Sequence, residues 1–281
     1  MSSEKTERQI SVFISYARED TEFAKDLQEL LQEEGIKVWI DDRIRPIAEW
    51  ESEIKKAIVS HDYIIFIASN SSFASENCKN ELIFAKNNNK KILPINIDSN
   101  LEWLPSEIEE IQWINFSSAT FLNTKGLIRI DHHNSEFDQY YSVLVSALET
   151  DLDWVSTHSR LLEKAWEWKA ANKNKSYLLI GDELQYFKDS INKHKEIEPG
   201  LTEDQIDLIK ESEAHEIYQL ARRKRLKRFI ASLAVMLILI GAVAAFFGIN
   251  DRRKAIENLS ISLADKSELM VDNASLSLLL A

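Results

Sequence analysis

The stretch ISVFISYAREDTEFAKDLQELLQEEGIKVWIDD, Ile10 to Asp42, decides the fold. Its opening ISVFIS is an almost continuous apolar run, the mark of a strand buried on both faces rather than on one. Phe23, Leu27, Leu30 and Leu31 then recur at helical spacing, with Asp20 placed to cap the helix and Gly35 placed to end it. KVWI, Lys37 to Ile40, returns to strand character. A buried strand, an amphipathic helix and a second buried strand make one unit of a parallel sheet.

The same alternation continues. Ala48 to Ser60 reads as a helix, Tyr63 to Ala68 as a strand, Cys78 to Asn88 as a helix, Lys91 to Ile97 as a strand, and Ile111 to Phe116 as a fifth strand. The expected fold is therefore α/β: a flavodoxin-like, doubly wound, five-stranded parallel sheet with helices on both faces. Beyond about Phe137 the pattern turns all-helical, through YYSVLVSALETDL, HSRLLEKAWEWKAAN and DELQYFKDSINKH. Pro199 and Gly200 stop one helix, and Thr202 with Gln205 forms the capping-box pattern that starts the next. Trp154, Trp166 and Trp168 read as packing residues of this helical part.

The chain has 281 residues and a formal charge of −12, yet Arg222, Arg223, Lys224, Arg225, Lys227 and Arg228 form one basic block. FIASLAVMLILIGAVAAFFGI, Phe229 to Ile249, follows without a charged residue and is long enough to cross a bilayer, which takes about 20 residues. Six basic residues before the span outnumber Arg252, Arg253 and Lys254 after it, which places the N-terminal part in the cytoplasm. Lipid headgroups account for the block more simply than nucleic acid does, so no nucleic-acid partner is expected. The polar Met1 to Gln9 excludes a cleavable signal peptide, and the lone Cys78 excludes an internal disulfide. The expected organisation is a polar tail (1–9), the α/β domain (10–136, its last helix reaching about 150), a helical linker (151–221), the basic block (222–228), a single membrane span (229–249) and a helical segment (250–281). The closing SLSLLLA suggests that the native chain continues or that this end docks on a partner.

Ligands of a doubly wound sheet bind beyond the carboxyl ends of its strands, which singles out Tyr16 to Asp20, Asp41 to Trp50, Asn70 to Glu81 and Asp98 to Leu104. None carries a glycine-rich phosphate loop, which disfavours a nucleoside triphosphatase or a Rossmann dehydrogenase. No His/Cys ligand spacing suggests a metal, and His132 with His133 reads as a solvated pair. Cys78 reads as a packed thiol, since no histidine lies near it in sequence. Asp41 and Asp42 do not form a phospho-acceptor site, which requires acids after strands one and three.

Two segments together resemble one family. VFISYAREDTEFAKDLQELLQEEGIKVWIDD is similar to the opening of a TIR domain, and SENCKNELIFAKNNNKKILPI to its third helix and fourth strand; the resemblance covers about Ile10 to Leu148. HSRLLEKAWEWK, SYLLIGDEL and PGLTEDQIDLIKES ahead of the apolar span also resemble bacterial proteins that couple an N-terminal TIR domain to a C-terminal WD-repeat β-propeller. The resemblance implies cleavage of the nicotinamide to ribose bond of NAD, with Glu81 at the position of the glutamate that contacts the nicotinamide ribose. It implies ligand contacts from Ser15, Tyr16 and Arg18, which strand-end capping would explain equally well. Asp41 and Trp50, in the loop DDRIRPIAEW and at the start of its helix, are further candidates, although Trp50 also suits the core. Asn77 stands where many NAD-cleaving relatives have an aromatic residue, and Pro46 with Ile47 where many have glycine.

The chemistry suits a lone carboxylate. Nicotinamide leaves NAD as an already cationic group that needs no acid to protonate it, and a carboxylate stabilises the oxocarbenium-like ribose. The expected protein is a membrane-anchored, single-pass effector with NAD as substrate rather than cofactor, other TIR domains as partners, and a role in defence or stress signalling. The alternatives are a non-catalytic adaptor binding other TIR domains through the loop Asp41 to Trp50 and one helical face, and a soluble flavodoxin-like enzyme acting on another nucleoside.

Overall fold

Alternating side chains on β1, Ser11–Ser15, divide between two cores. Val12 and Ile14 point to one face of the sheet and Phe13 to the other, so both faces must be covered by helices. The computed structural model describes residues 9–40, 47–101, 105, 108–122 and 125–279, and the chain divides into two compact units, Met1–Glu216 and Ile217–Ala281.

In the first unit β1 leads through a 3-10 turn at Arg18–Asp20 into α1, Thr21–Glu33, and then β2, Lys37–Ile40. There follow α2 (Ile47–Ser60), β3 (Tyr63–Ala68), the short α3 (Asn70–Ala74), α4 (Glu76–Asn87) and β4 (Lys91–Asn96). β5, Ile114–Asn115, closes a five-stranded sheet of order β2-β1-β3-β4-β5, parallel throughout. This is the doubly wound sheet expected from the sequence. The fifth strand is shorter than Ile111 to Phe116, because only Ile114 and Asn115 pair with Ile95 and Asn96 at the end of β4.

Phe23, Leu27 and Leu31 of α1 pack with Val12, Ile14, Ile65 and Ile95 on one face. On the other, Ile54 and Ile58 of α2 and Leu82 and Ala85 of α4 pack with Phe13, Ile64 and Ile92. Each of the larger of these side chains contributes about 1.5 to 3 kcal/mol by leaving water. Three features lay outside the sequence pattern: α3, and the antiparallel pair β6 (Thr120–Leu122) and β7 (Ile128–Ile130). Arg129 of β7 grips Asp26 of α1 with two nitrogens, one at 3.0 Å, which ties the hairpin to the sheet's helical cover.

α5 (Phe137–Glu149) completes the first face through Leu144 and Leu148. α6 (Leu152–Ala170) and α7 (Asp182–Lys193) follow, and α8 runs over Glu203–Leu279. Thr202 and Gln205 make the expected capping box: Gln205 N–H donates to the Thr202 hydroxyl at 3.3 Å and Thr202 N–H to the Gln205 side chain at 2.7 Å. Leu161, Ala165, Trp168, Leu184, Phe187 and Leu208 form a third core. Trp154 and Trp168 are buried and Trp166 is half-buried.

The amino-terminal edge of the sheet is joined to α6 by Lys90. This lysine is only 5% exposed and donates to the Ser159 hydroxyl at 2.6 Å, to the His61 carbonyl and to the Val59 carbonyl at 3.4 Å. In the second unit α8 presents the apolar residues of Phe229–Ile249 outward, and its most apolar window has a mean hydropathy of 2.7. At about 1.5 Å per residue that run is about 30 Å long, the thickness of a bilayer core.

Candidate functional site

Chain order reverses between β1 and β3, since β2 lies on one side of β1 and β3 on the other. That reversal leaves a crevice beyond the carboxyl ends of the two strands, where sheets of this kind bind ligands. Ser15 is the last residue of β1 and falls on the Phe13 face, beneath α4. Glu81 lies on α4 one helical position from Leu82, whose burial in that face fixes the helix rotation. The Ser15 hydroxyl donates to Glu81 Oε2 at 2.6 Å. Ser15 is buried and Glu81 half-buried, so the carboxylate is aimed at the rim of the sheet rather than into open solvent.

α4 is set in place by its own cap: the Ser75 hydroxyl accepts from the Cys78 N–H at 3.4 Å. Cys78 packs in the core beside this site, and burial, then the charge of Glu81, push its thiol up to about 12. The thiol stays protonated at neutral pH, as expected of a packing residue.

Among the other candidates, Tyr16 is half-buried and Arg18 exposed in the loop that follows Ser15. Asn77 is exposed on α4, one turn before Glu81 and on the same side of the helix. Asp41 and Pro46 lie outside the described residues; Ile47 and Trp50 belong to α2, their side chains likewise outside. The structure thus brings Ser15 and Glu81 into contact and places Tyr16, Arg18 and Asn77 on the segments flanking them. Among the described residues no cluster of His, Cys, Asp and Glu suits a metal ion, and His132 and His133 are exposed.

The rim carries a polar network that no single motif revealed. Asp20 caps α1 without its side chain; its carboxylate instead accepts from the Ser69 hydroxyl at 2.6 Å. Ser69 opens α3 through a reciprocal capping box with Ser72, with bonds of 3.0 and 2.9 Å. Next along the edge, Asp98 Oδ2 accepts from the Asn70 backbone and side-chain nitrogens, both at 3.1 Å. The Asp98 N–H donates to Asn96, and Asn96 to Asn115 of β5. Asp20 is 1% exposed, and burial pushes its carboxyl up to about 6; Ser69 opposes that rise, while Glu19 and Asp98 add to it. Asp20, Asn70 and Asp98 all stand in the loops singled out by strand ends, but their partners are too distant in sequence for any local pattern to show.

Residues 12–127 match the family model described as TIR domain. Over 100 residues the chain is 34% identical to a protein named probable 2' cyclic ADP-D-ribose synthase TcpO, from Methanobrevibacter olleyae, an alignment covering 34% of this chain and 29% of that protein. This chain therefore matches less than a third of that relative's length. Among solved structures, the TIR domain of the Toll-related receptor TRR-2 of Hydra magnipapillata aligns at 20% identity over 50% of this chain and 98% of that one, with a TM-score of 0.38. The TIR domains of the activated Roq1 resistosome, which directly recognises the pathogen effector XopQ, align at 20% identity over 66% and 99%, with a TM-score of 0.30. Residues 12–127, with the parallel strands and covering helices they build, form a TIR domain.

Proposed function

We propose that this chain is a membrane-anchored TIR effector that cleaves the nicotinamide to ribose bond of NAD when its TIR domains assemble. The observation that carries this reading is the Ser15 to Glu81 hydrogen bond at the crevice between β1 and β3. It fixes the direction of a carboxylate at the place where the fold receives ligands. The name of the relative TcpO, a probable cyclic ADP-ribose synthase, supports the same substrate.

In the proposed reaction the bond from ribose C1′ to the nicotinamide nitrogen breaks and its electron pair neutralises that nitrogen. Glu81 faces the positive charge that develops on the ribose, an electrostatic role worth several kcal/mol in a sheltered site. Water then bonds to C1′ and loses one proton to solvent, giving ADP-ribose; a hydroxyl of the same substrate in place of water gives a cyclic product. Tyr16 and Arg18 flank the crevice as candidate contacts to the ligand's ribose and phosphates, with Asp41, Trp50 and Asn77 as further candidate contacts. Phe229 to Ile249 anchors the chain with the TIR domain in the cytoplasm, and neighbouring copies supply the TIR partners. Role in defence or stress signalling, and continuation into a propeller, belong to the same reading.

The test is nicotinamide release from NAD by the full chain in vesicles, with and without forced clustering. Glu81→Gln should lower turnover by about a hundredfold or more. Equal turnover in that variant would overturn the reading. A second reading, a non-catalytic adaptor, draws on the exposed Asn77, which gives the crevice no aromatic wall at that position; absence of turnover even in clusters would favour it.

A further inference from the structure

Asp20 is a costly residue for the bond it makes. It is 1% exposed, and among the described residues the titratable groups near it are Glu19 in its own turn, Asp98 beyond β4 and Cys78 on α4, whose thiol also feels the charge of Glu81. A carboxylate among other acids in a dry place is disfavoured. If Ser69 needed only an acceptor, an asparagine would serve without that cost. What the charge adds is strength, because a hydrogen bond to an ionised acceptor is about twice as strong as a neutral one.

The bond also has a particular position. Ser69 is the cap of α3, and α3 passes directly into α4, which carries Glu81. Asp20 ends the turn that begins at Arg18, just after Tyr16. The Asp20 to Ser69 bond therefore spans the two segments that wall the crevice, 49 residues apart in sequence.

Resting on the NAD-cleaving reading of the crevice, we propose that Asp20 is a positioning residue for Glu81: its carboxylate grips Ser69 and holds the start of the α3–α4 segment against the loop of Tyr16 and Arg18. The charge is kept for the site and not for the stability of the fold. Activity should then follow the ionisation of Asp20, while stability should move the opposite way.

The experiment uses the full chain in anionic vesicles and compares wild type, Asp20→Asn and Asp20→Ala. Nicotinamide release is followed from about pH 5 to about pH 8, and melting is measured near neutrality and near pH 4.5. Wild type should lose kcat on acidification with a midpoint near the Asp20 value of about 6. Asp20→Asn should be flat across that range and about three- to tenfold slower at neutral pH, with Asp20→Ala slower again. Asp20→Asn should also melt above wild type at neutral pH, with most of that difference gone near pH 4.5. The buried His158, pushed down to about 3, is common to all three chains, so its titration cancels in the comparison. An Asp20→Asn chain with the wild-type acid limb and rate overturns the proposal. So does one that melts below wild type at neutral pH, which would mark an ordinary structural bond. If wild type releases no nicotinamide under any condition, the NAD reading fails and melting decides alone: higher melting of Asp20→Asn at neutral pH upholds a charge retained against stability, and lower melting rejects it.

Discussion

Ser15 shows how one side chain converts a core position into a site. On a strand whose nearest neighbour on that face is the apolar Phe13, a buried hydroxyl needs a partner, and Glu81 supplies it at 2.6 Å. Ser15→Ala should leave the fold within about 1 kcal/mol of wild type, because a half-buried carboxylate retains access to water. Nicotinamide release should nevertheless fall about tenfold, through kcat more than KM, since the carboxylate then loses the hydroxyl that directs it toward the crevice. Equal kinetics would show that Glu81 is oriented by other contacts. Asp20 sets a linkage of definite sign. Its folded pKa of about 6 stands above the usual 3.8, so the proton is bound more tightly in the fold. The stability this contributes is complete below the unfolded value and is lost as pH rises through about 6. At neutral pH the ionised group therefore costs about 3 kcal/mol as an upper figure. Asp20→Asn should recover part of it, visible as a difference in unfolding free energy that shrinks as pH falls through about 6 and is gone below 3.8.

Elements were legible in the sequence where hydrophobic period and length agreed. β1, β3 and β4 are apolar on both faces, and α1 has its stripe at Phe23, Leu27 and Leu31; such signals need no knowledge of the rest of the chain. The β6–β7 hairpin had no such signal. Phe121 and Leu122 are exposed there, and the pair is held by the Arg129 to Asp26 contact, 103 residues apart. α3 is five residues long and exists by virtue of its Ser69 cap. The site divides in the same way: Ser15 and Glu81 were each visible at a strand end and in a motif, but their contact was not, and Asp20 was read as a local cap because its partner Ser69 is remote. Lys90 is a further case, a lysine in the polar run NNNKK that no sequence pattern singled out and that is buried, bonded to α6 through Ser159. Lys90→Met keeps its length and leaves the carbonyls of Val59 and His61 and the Ser159 hydroxyl without this donor. The expected loss is about 2 to 4 kcal/mol, with faster hydrogen exchange along the first turns of α6. An unchanged exchange pattern would show that apolar packing alone holds α6 to the sheet.

For the whole molecule, the decisive feature is an apolar run on α8 beside a basic block, both carried by the chain that carries the TIR domain. In the proposed anchored topology, six basic residues before the apolar run, each attracted to an anionic surface by about 1 kcal/mol, against three after it, favour the cytoplasmic side for the N-terminal part. Under the proposed anchoring, the concentration that governs assembly changes. Chains confined to a bilayer meet one another in a layer tens of ångströms deep, so their effective concentration follows surface density and not the amount in the tube. If TIR assembly switches on NAD cleavage, turnover per chain should rise steeply as the protein-to-lipid ratio is raised at constant total protein. Dilution of the vesicles at fixed ratio should leave it unchanged. A chain ending at Glu216, released from that confinement, should depend on bulk concentration instead and need forced clustering to reach the same rate. Turnover per chain that is indifferent to surface density would separate catalysis from assembly, leaving Phe229 to Ile249 with the role of localisation alone.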